Sequence, residues 1–76
     1  MSTVVLMQKS PRLVIREAVQ VRCEALYLNR AQTDACVEHA IALYSEFKRS
    51  TAYSIEEGKL LAARLAKHNC TDPAVA

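Results

Sequence analysis

The shortage of glycine and proline is the feature that most limits what this chain can fold into. Its 76 residues contain one glycine and two prolines, whereas β-hairpins and tight β-turns depend on such residues. A sandwich or a barrel is therefore disfavoured. The chain is 51% apolar and 24% charged, which is typical of a globular domain and not of a disordered one. We expect a single, mainly helical domain over residues 1–76.

The cysteines and the N-terminal residues bear on where the protein works. Three cysteines form no CxxC motif and cannot all pair within one chain, which favours a reducing cytoplasm. The apolar stretch 3–7 is too short for a signal peptide or a membrane span. We therefore expect a cytoplasmic protein with no membrane association. Residues 1–9 are expected to form a short apolar segment that lies over the core or pairs, as a strand, with a second copy.

Residues 11–28 are predicted to form the first helix. Ser10 offers a capping hydroxyl, and Pro11 suits the first helical position. Apolar residues recur at helical spacing in two rows. The rows are Val14, Ala18, Val21, Ala25 and Leu28, and Ile15, Val19 and Leu26. Arg22 falls between them, and leaving a guanidinium unpaired in a core costs several kcal/mol. We therefore expect Arg22 to pair with a carboxylate, reach solvent, or lie at an interface.

A strand is the alternative for part of this segment. Residues 19–25 alternate strictly between apolar and polar side chains, as in a half-buried strand that would turn Arg22 outward. The capped start and the run of good helix-forming residues favour the helix.

Two further helices are predicted over 34–49 and 55–68. Thr33 is a plausible cap for the first of them. Ser54 and Glu57 match a capping box for the second. The apolar face of the 34–49 helix consists of Cys36, Val37, Ala40, Ile41, Leu43, Tyr44 and Phe47. The 55–68 helix has a narrow face that would allow close approach, formed by Gly58, Leu61, Ala62, Leu65 and Ala66. Short loops predict an all-α, three-helix antiparallel bundle followed by a frayed tail at 71–76.

Chemistry-bearing residues are few and poorly spaced. Cys36, His39, His68 and Cys70 are zinc ligand types, but their spacing matches no known finger pattern. Cys36 with His39 is the only local nucleophile and base pair, and no glycine-rich or oxyanion-forming motif accompanies it. We interpret Cys36 as a packed thiol. We expect no enzyme activity, no metal, no cofactor and no small-molecule substrate.

Nucleic-acid binding is the alternative function. The net charge is +2, and residues 1–32 carry five cations against two carboxylates, which is modest for a strong nucleic-acid binder. The 55–68 helix begins with Ile55-Glu56-Glu57, whose carboxylates would repel phosphates. The basic residues that would carry this function are Arg12, Arg16, Arg30, Arg64 and Lys67.

Protein interaction is the leading functional prediction, because a chain this short gains stability from self-association. We expect a small interaction or regulatory module that forms a homodimer or binds a protein partner. The predicted mechanism buries apolar surface from the first helix and the N-terminal segment, with Arg22 paired to a carboxylate. The predicted interface residues are Val5, Leu6, Arg22, Leu26, Tyr27 and Leu60.

Overall fold

A computed structural model of the protein describes residues 10–70, and these residues form three α-helices. The helices are α1 (Pro11–Ala25), α2 (Arg30–Ser45) and α3 (Thr51–Cys70). Each helix contacts the other two, which confirms the predicted all-α, three-helix fold. Residues 19–25 are helical, so the strand alternative is wrong. The N-terminal segment at 1–9 and the tail at 71–76 lie outside the described residues.

The start of α1 is as predicted, but its end comes three residues early. Leu13 N donates to Ser10 Oγ at 3.2 Å, so Ser10 caps the helix. At the other end, Tyr27 adopts a left-handed conformation with φ 59°. Leu28 N donates to the Cys23 carbonyl at 3.0 Å, and Tyr27 N donates to the Glu24 carbonyl at 3.0 Å. This is a Schellman arrangement, which usually has glycine at the left-handed position.

The predicted cap of α2 at Thr33 is wrong, because Asn29 caps the helix four residues earlier. Gln32 N donates to Asn29 Oδ1 at 2.8 Å, and Asn29 N donates to Gln32 Oε1 at 3.2 Å. This reciprocal box satisfies two backbone donors, whereas a threonine cap satisfies one. The helix also ends early, at Ser45. Phe47 therefore lies beyond α2 and is 61% exposed, not part of its apolar face.

The predicted capping box of α3 is also wrong, because the helix begins at Thr51 and Ser54 lies inside it. Tyr53 N donates to Ser50 Oγ at 3.1 Å, which caps the earlier start. Ser54 is fully buried, and its Oγ donates to the Ser50 carbonyl at 2.8 Å. The buried hydroxyl is thus satisfied within the helix.

The core lies where the three helices meet. Its buried apolar residues are Ile15, Val19, Cys23, Cys36, Val37, Ala40 and Ala62. The predicted close approach along α3 is confirmed at Gly58, where a Cβ would lie only 2.7 Å from Val19 Cγ2. At the opposite end of α3, the Gln32 and Asn69 side-chain amides exchange two hydrogen bonds of 3.0 Å. Within residues 10–70, no helix is both long and apolar enough to cross a bilayer.

Candidate interaction site

The buried face of α1 is narrower than its apolar sequence suggests. Ile15, Val19 and Cys23, spaced by four residues, have no exposed surface. Arg22, which the sequence places between the two apolar rows, is exposed. An ion pair among the described residues joins Lys59 Nζ to Glu56 Oε2 at 3.9 Å. Arg22 does not take part in it. The guanidinium therefore reaches solvent, which was one of the expected outcomes.

The second apolar row of α1 lines an open groove of about 600 Å³. We call this the α1 groove, and its lining residues are Val14, Glu17, Ala18, Val21, Arg22, Ala25 and Lys59. Val21 is 64% exposed and Val14 is 37% exposed. The floor is apolar, and its α1 residues come from successive helical turns. A long, shallow apolar surface of this kind fits the side of another helix.

The edges of the α1 groove carry opposite charges. At 100° per residue, Glu17 and Arg22 lie about 70° to either side of the floor's centre. Gly58 of α3 packs against Val19, which lies beyond Arg22 on the helical wheel. Lys59, the next residue of α3, therefore joins the edge formed by Arg22. The α1 groove thus has one acidic edge at Glu17 and one basic edge at Arg22 and Lys59.

The structure does not bring the other predicted interface residues to this groove. Val5 and Leu6 lie outside the described residues. Leu26 is half-buried and packs against the core, so its side chain is committed to the bundle. Tyr27 is 91% exposed at the turn after α1. Leu60 is 53% exposed and lines a separate depression on the outer side of α3.

The five predicted nucleic-acid-binding residues line three depressions, although Arg12 and Arg16 are neighbours one turn apart on α1. Arg16 and Arg30 share a depression with Glu24 and Asp34. The depression that contains Arg64 and Lys67 also contains Glu57. Arg12 lies in a third depression, formed with the end of α2 and the loop that follows it. That lining includes Lys48 and Arg49, and the Arg49 guanidinium lies 5.6 Å from the centroid of the Tyr53 ring.

Cys36 and His39, the only local candidates for a nucleophile and its base, do not form such a pair. Cys36 is fully buried, as expected of a packed thiol, whereas His39 on the same helix is exposed. Burial raises the pKa of the Cys36 thiol from 9.0 to about 12, and the adjacent Cys23 thiol adds to this effect. Such a thiol stays protonated at neutral pH and is a poor nucleophile and metal ligand. Across the described part of the chain, no three His, Cys, Asp or Glu side chains are placed to hold a metal ion.

No protein-family model, curated protein or solved structure matches the chain. The functional argument therefore depends on the chain's own surfaces. Of these, the α1 groove combines exposed apolar side chains with two oppositely charged edges. We missed this groove from the sequence because Val14 and Val21 follow the same helical periodicity as the buried Ile15 and Val19. The sequence feature that pointed to this groove was Arg22, a charged residue between two apolar rows.

Proposed function

We propose that this protein is a small interaction module that self-associates through the α1 groove and has no catalytic activity of its own. The observation that carries the proposal is the exposure of Val21, which is 64% accessible on an apolar groove floor. Single exposed apolar residues are common on soluble proteins. A contiguous apolar groove with charged edges is more informative, because such surfaces mark interaction sites.

The small size of the domain supports a second copy as the partner. A chain of this length has a core that provides roughly 3 to 5 kcal/mol, and apolar burial between copies would add to it. The opposite charges at the two edges allow one surface to complement itself, as a two-fold symmetric interface requires. The proposed action is thus the burial of the α1 groove in a homodimer located in the cytoplasm.

Nucleic-acid binding receives less support from the geometry. The five basic residues of that alternative line three depressions, and two of these include carboxylates. A duplex binder needs cations that follow the phosphate backbone over a continuous surface. The Arg12 depression contains Lys48 and Arg49 and no carboxylate, but it does not include Arg64 or Lys67.

Sedimentation velocity over about three decades of concentration tests the proposal by mass action. The wild-type protein should shift from monomer to dimer as its concentration rises. The Val21→Glu variant should stay monomeric, because it places a charge on the apolar floor. Phe47→Glu is the matched control, since Phe47 is similarly exposed at 61% but lies outside the groove. It should dimerise like the wild type.

Circular dichroism of each variant verifies that the helices are retained. A wild-type protein that is monomeric at every concentration would reject self-association. Equal dimerisation by Val21→Glu and the wild type would move the interface away from the α1 groove.

A further inference from the structure

The floor of the α1 groove has the residue spacing of a two-stranded coiled coil. Val14, Ala18, Val21 and Ala25 are separated by four, three and four residues. This alternation places one side chain per helical turn on a single seam. The seam faces away from the core, because the buried residues of α1 lie on the far side of Arg22 around the helix. A second helix can therefore lie along the groove without displacing α2 or α3.

The charged edges distinguish the two orientations in which a second α1 helix could pack. Glu17 and Arg22 are five residues apart, on opposite sides of the seam. In a parallel pair with a two-fold axis along the helices, the Glu17 edge of one copy faces the Arg22 edge of the other. This i to i+5 offset is the usual geometry of interhelical ion pairs in parallel coiled coils.

An antiparallel pair brings like charges together. Its two-fold axis runs across the helices, so the Glu17 edges of the two copies face each other, as do the two Arg22 edges. Like charges placed opposite each other in an interface cost free energy. The charge pattern of the α1 groove therefore favours the parallel arrangement.

Lys59 strengthens this preference. It adds a second cation to the Arg22 edge, and its 3.9 Å contact with Glu56 is long, with the Lys59 side chain still 41% exposed. Glu17 also takes part in an interaction within its own chain. An ionised carboxylate has about four lone-pair sites, so Glu17 can accept further bonds from a second copy.

We propose that the α1 groove is occupied by the α1 helix of a second copy in parallel orientation, with Glu17 of each copy beside Arg22 of the other. The proposal rests on the self-association proposed above and adds its orientation and register. In this dimer, each seam residue meets its own counterpart across the two-fold axis.

Cysteine cross-linking tests the orientation directly. Val14→Cys and Ala25→Cys are each introduced into a Cys70→Ser background, and the proteins are oxidised and analysed under non-reducing conditions. Cys23 and Cys36 are buried and should not compete. The two new cysteines lie about 16 Å apart along α1, at 1.5 Å per residue. A parallel dimer should cross-link efficiently in both single variants, because each cysteine meets its own copy.

An antiparallel dimer would give a different pattern, in which neither variant cross-links alone but their mixture does. That pattern, or a dimer in which no combination cross-links, would overturn the parallel register while leaving self-association in place. Phe47→Cys in the same background measures the cross-linking that random collisions produce. A wild-type protein without a dimer by sedimentation would reject the underlying function instead.

A charge exchange provides the second measurement. Glu17→Arg and Arg22→Glu should each raise the dimer dissociation constant, by about tenfold, because two attractive pairs become repulsive. The double variant that carries both changes restores the pairs with their signs exchanged and should recover most of the wild-type affinity. If the single variants do not weaken the dimer, the proposed pairing is wrong. Helical content, measured in each variant, separates this result from a failure to fold.

Discussion

The two apolar faces of α1 have similar side chains and opposite environments. Ile15 and Val19 have no exposed surface, whereas Val14 and Val21 on the other face are 37% and 64% exposed. A small residue on α3 contributes to the difference, because Gly58 has no Cβ and packs directly against Val19 of α1 and Ala40 of α2. Which apolar row of a helix becomes core is thus decided by the helices that pack on it, since dense packing requires complementary partners.

Truncating one residue on each face should give the largest difference in the free energy of unfolding. Ile15→Ala removes fully buried methyl groups and should lower the free energy of unfolding by about 2 to 5 kcal/mol. Val21→Ala should change it by less than about 0.5 kcal/mol, because the side chain is already largely solvated and alanine favours the helix. Urea unfolding at a concentration where the protein is monomeric measures both values.

The contrast stays measurable if Ile15→Ala does not fold. Ile15→Val should then cost about 0.5 to 1.5 kcal/mol. Equal losses at the two positions would mean that Val21 is as well packed as Ile15 in the isolated chain, which contradicts the distinction between the faces.

The contact between Gly58 and Val19 should give the next largest effect. Gly58→Ala places a Cβ 2.7 Å from Val19 Cγ2 and 3.0 Å from Ala40 Cβ. Overpacking costs about 1 to 3 kcal/mol, while replacing a helical glycine by alanine gains up to about 1 kcal/mol. We therefore expect a net loss in the unfolding free energy, measured as above.

A double-variant cycle isolates the steric part of this loss. Val19→Ala removes the methyl groups that face the new Cβ, so Gly58→Ala should cost less in that background than in the wild type. The exposed Ala63 is the control for helix propensity, because Ala63→Gly reports the alanine-to-glycine difference in α3 without a packing change. Strictly additive effects of the two core substitutions would argue against the close contact.

The helices themselves could be predicted from the sequence, and most of their ends could not. Ser10 and Pro11 mark the start of α1 because few residue pairs suit the positions before and within a first turn. The end of α1 was missed because Tyr27 occupies a left-handed position that glycine usually takes. Ser54 was misassigned as a cap because Ser50, one turn earlier, has the same capping chemistry, and local sequence does not choose between them.

The candidate site was only partly predictable, for a different physical reason. Arg22 stood out because a guanidinium interrupts an apolar pattern, and in the structure this residue lines the α1 groove. Periodicity could not separate the exposed Val14 and Val21 from the buried Ile15 and Val19, since both rows repeat at the helical period. The distinction depends on Gly58, which lies nearly 40 residues away in the sequence and is brought to Val19 only by the fold.

The smallest effect concerns the thiol that packs against the buried face of α1. Folding raises the pKa of Cys36 from 9.0 to about 12, so above pH 9.0 the unfolded chain loses a proton that the folded chain keeps. The unfolding free energy should therefore be unaffected by this group at neutral pH and fall as pH rises from 9.0 toward 12, by about 1 kcal/mol over the first unit.

Urea midpoints measured from neutral pH to about pH 10 should decline more steeply for the wild type than for Cys36→Ala, which lacks the ionising group. The groove variant Val21→Ala keeps the thiol and should retain the wild-type slope. Parallel pH curves for the wild type and Cys36→Ala would show that the thiol ionises as readily in the folded chain as in the unfolded one.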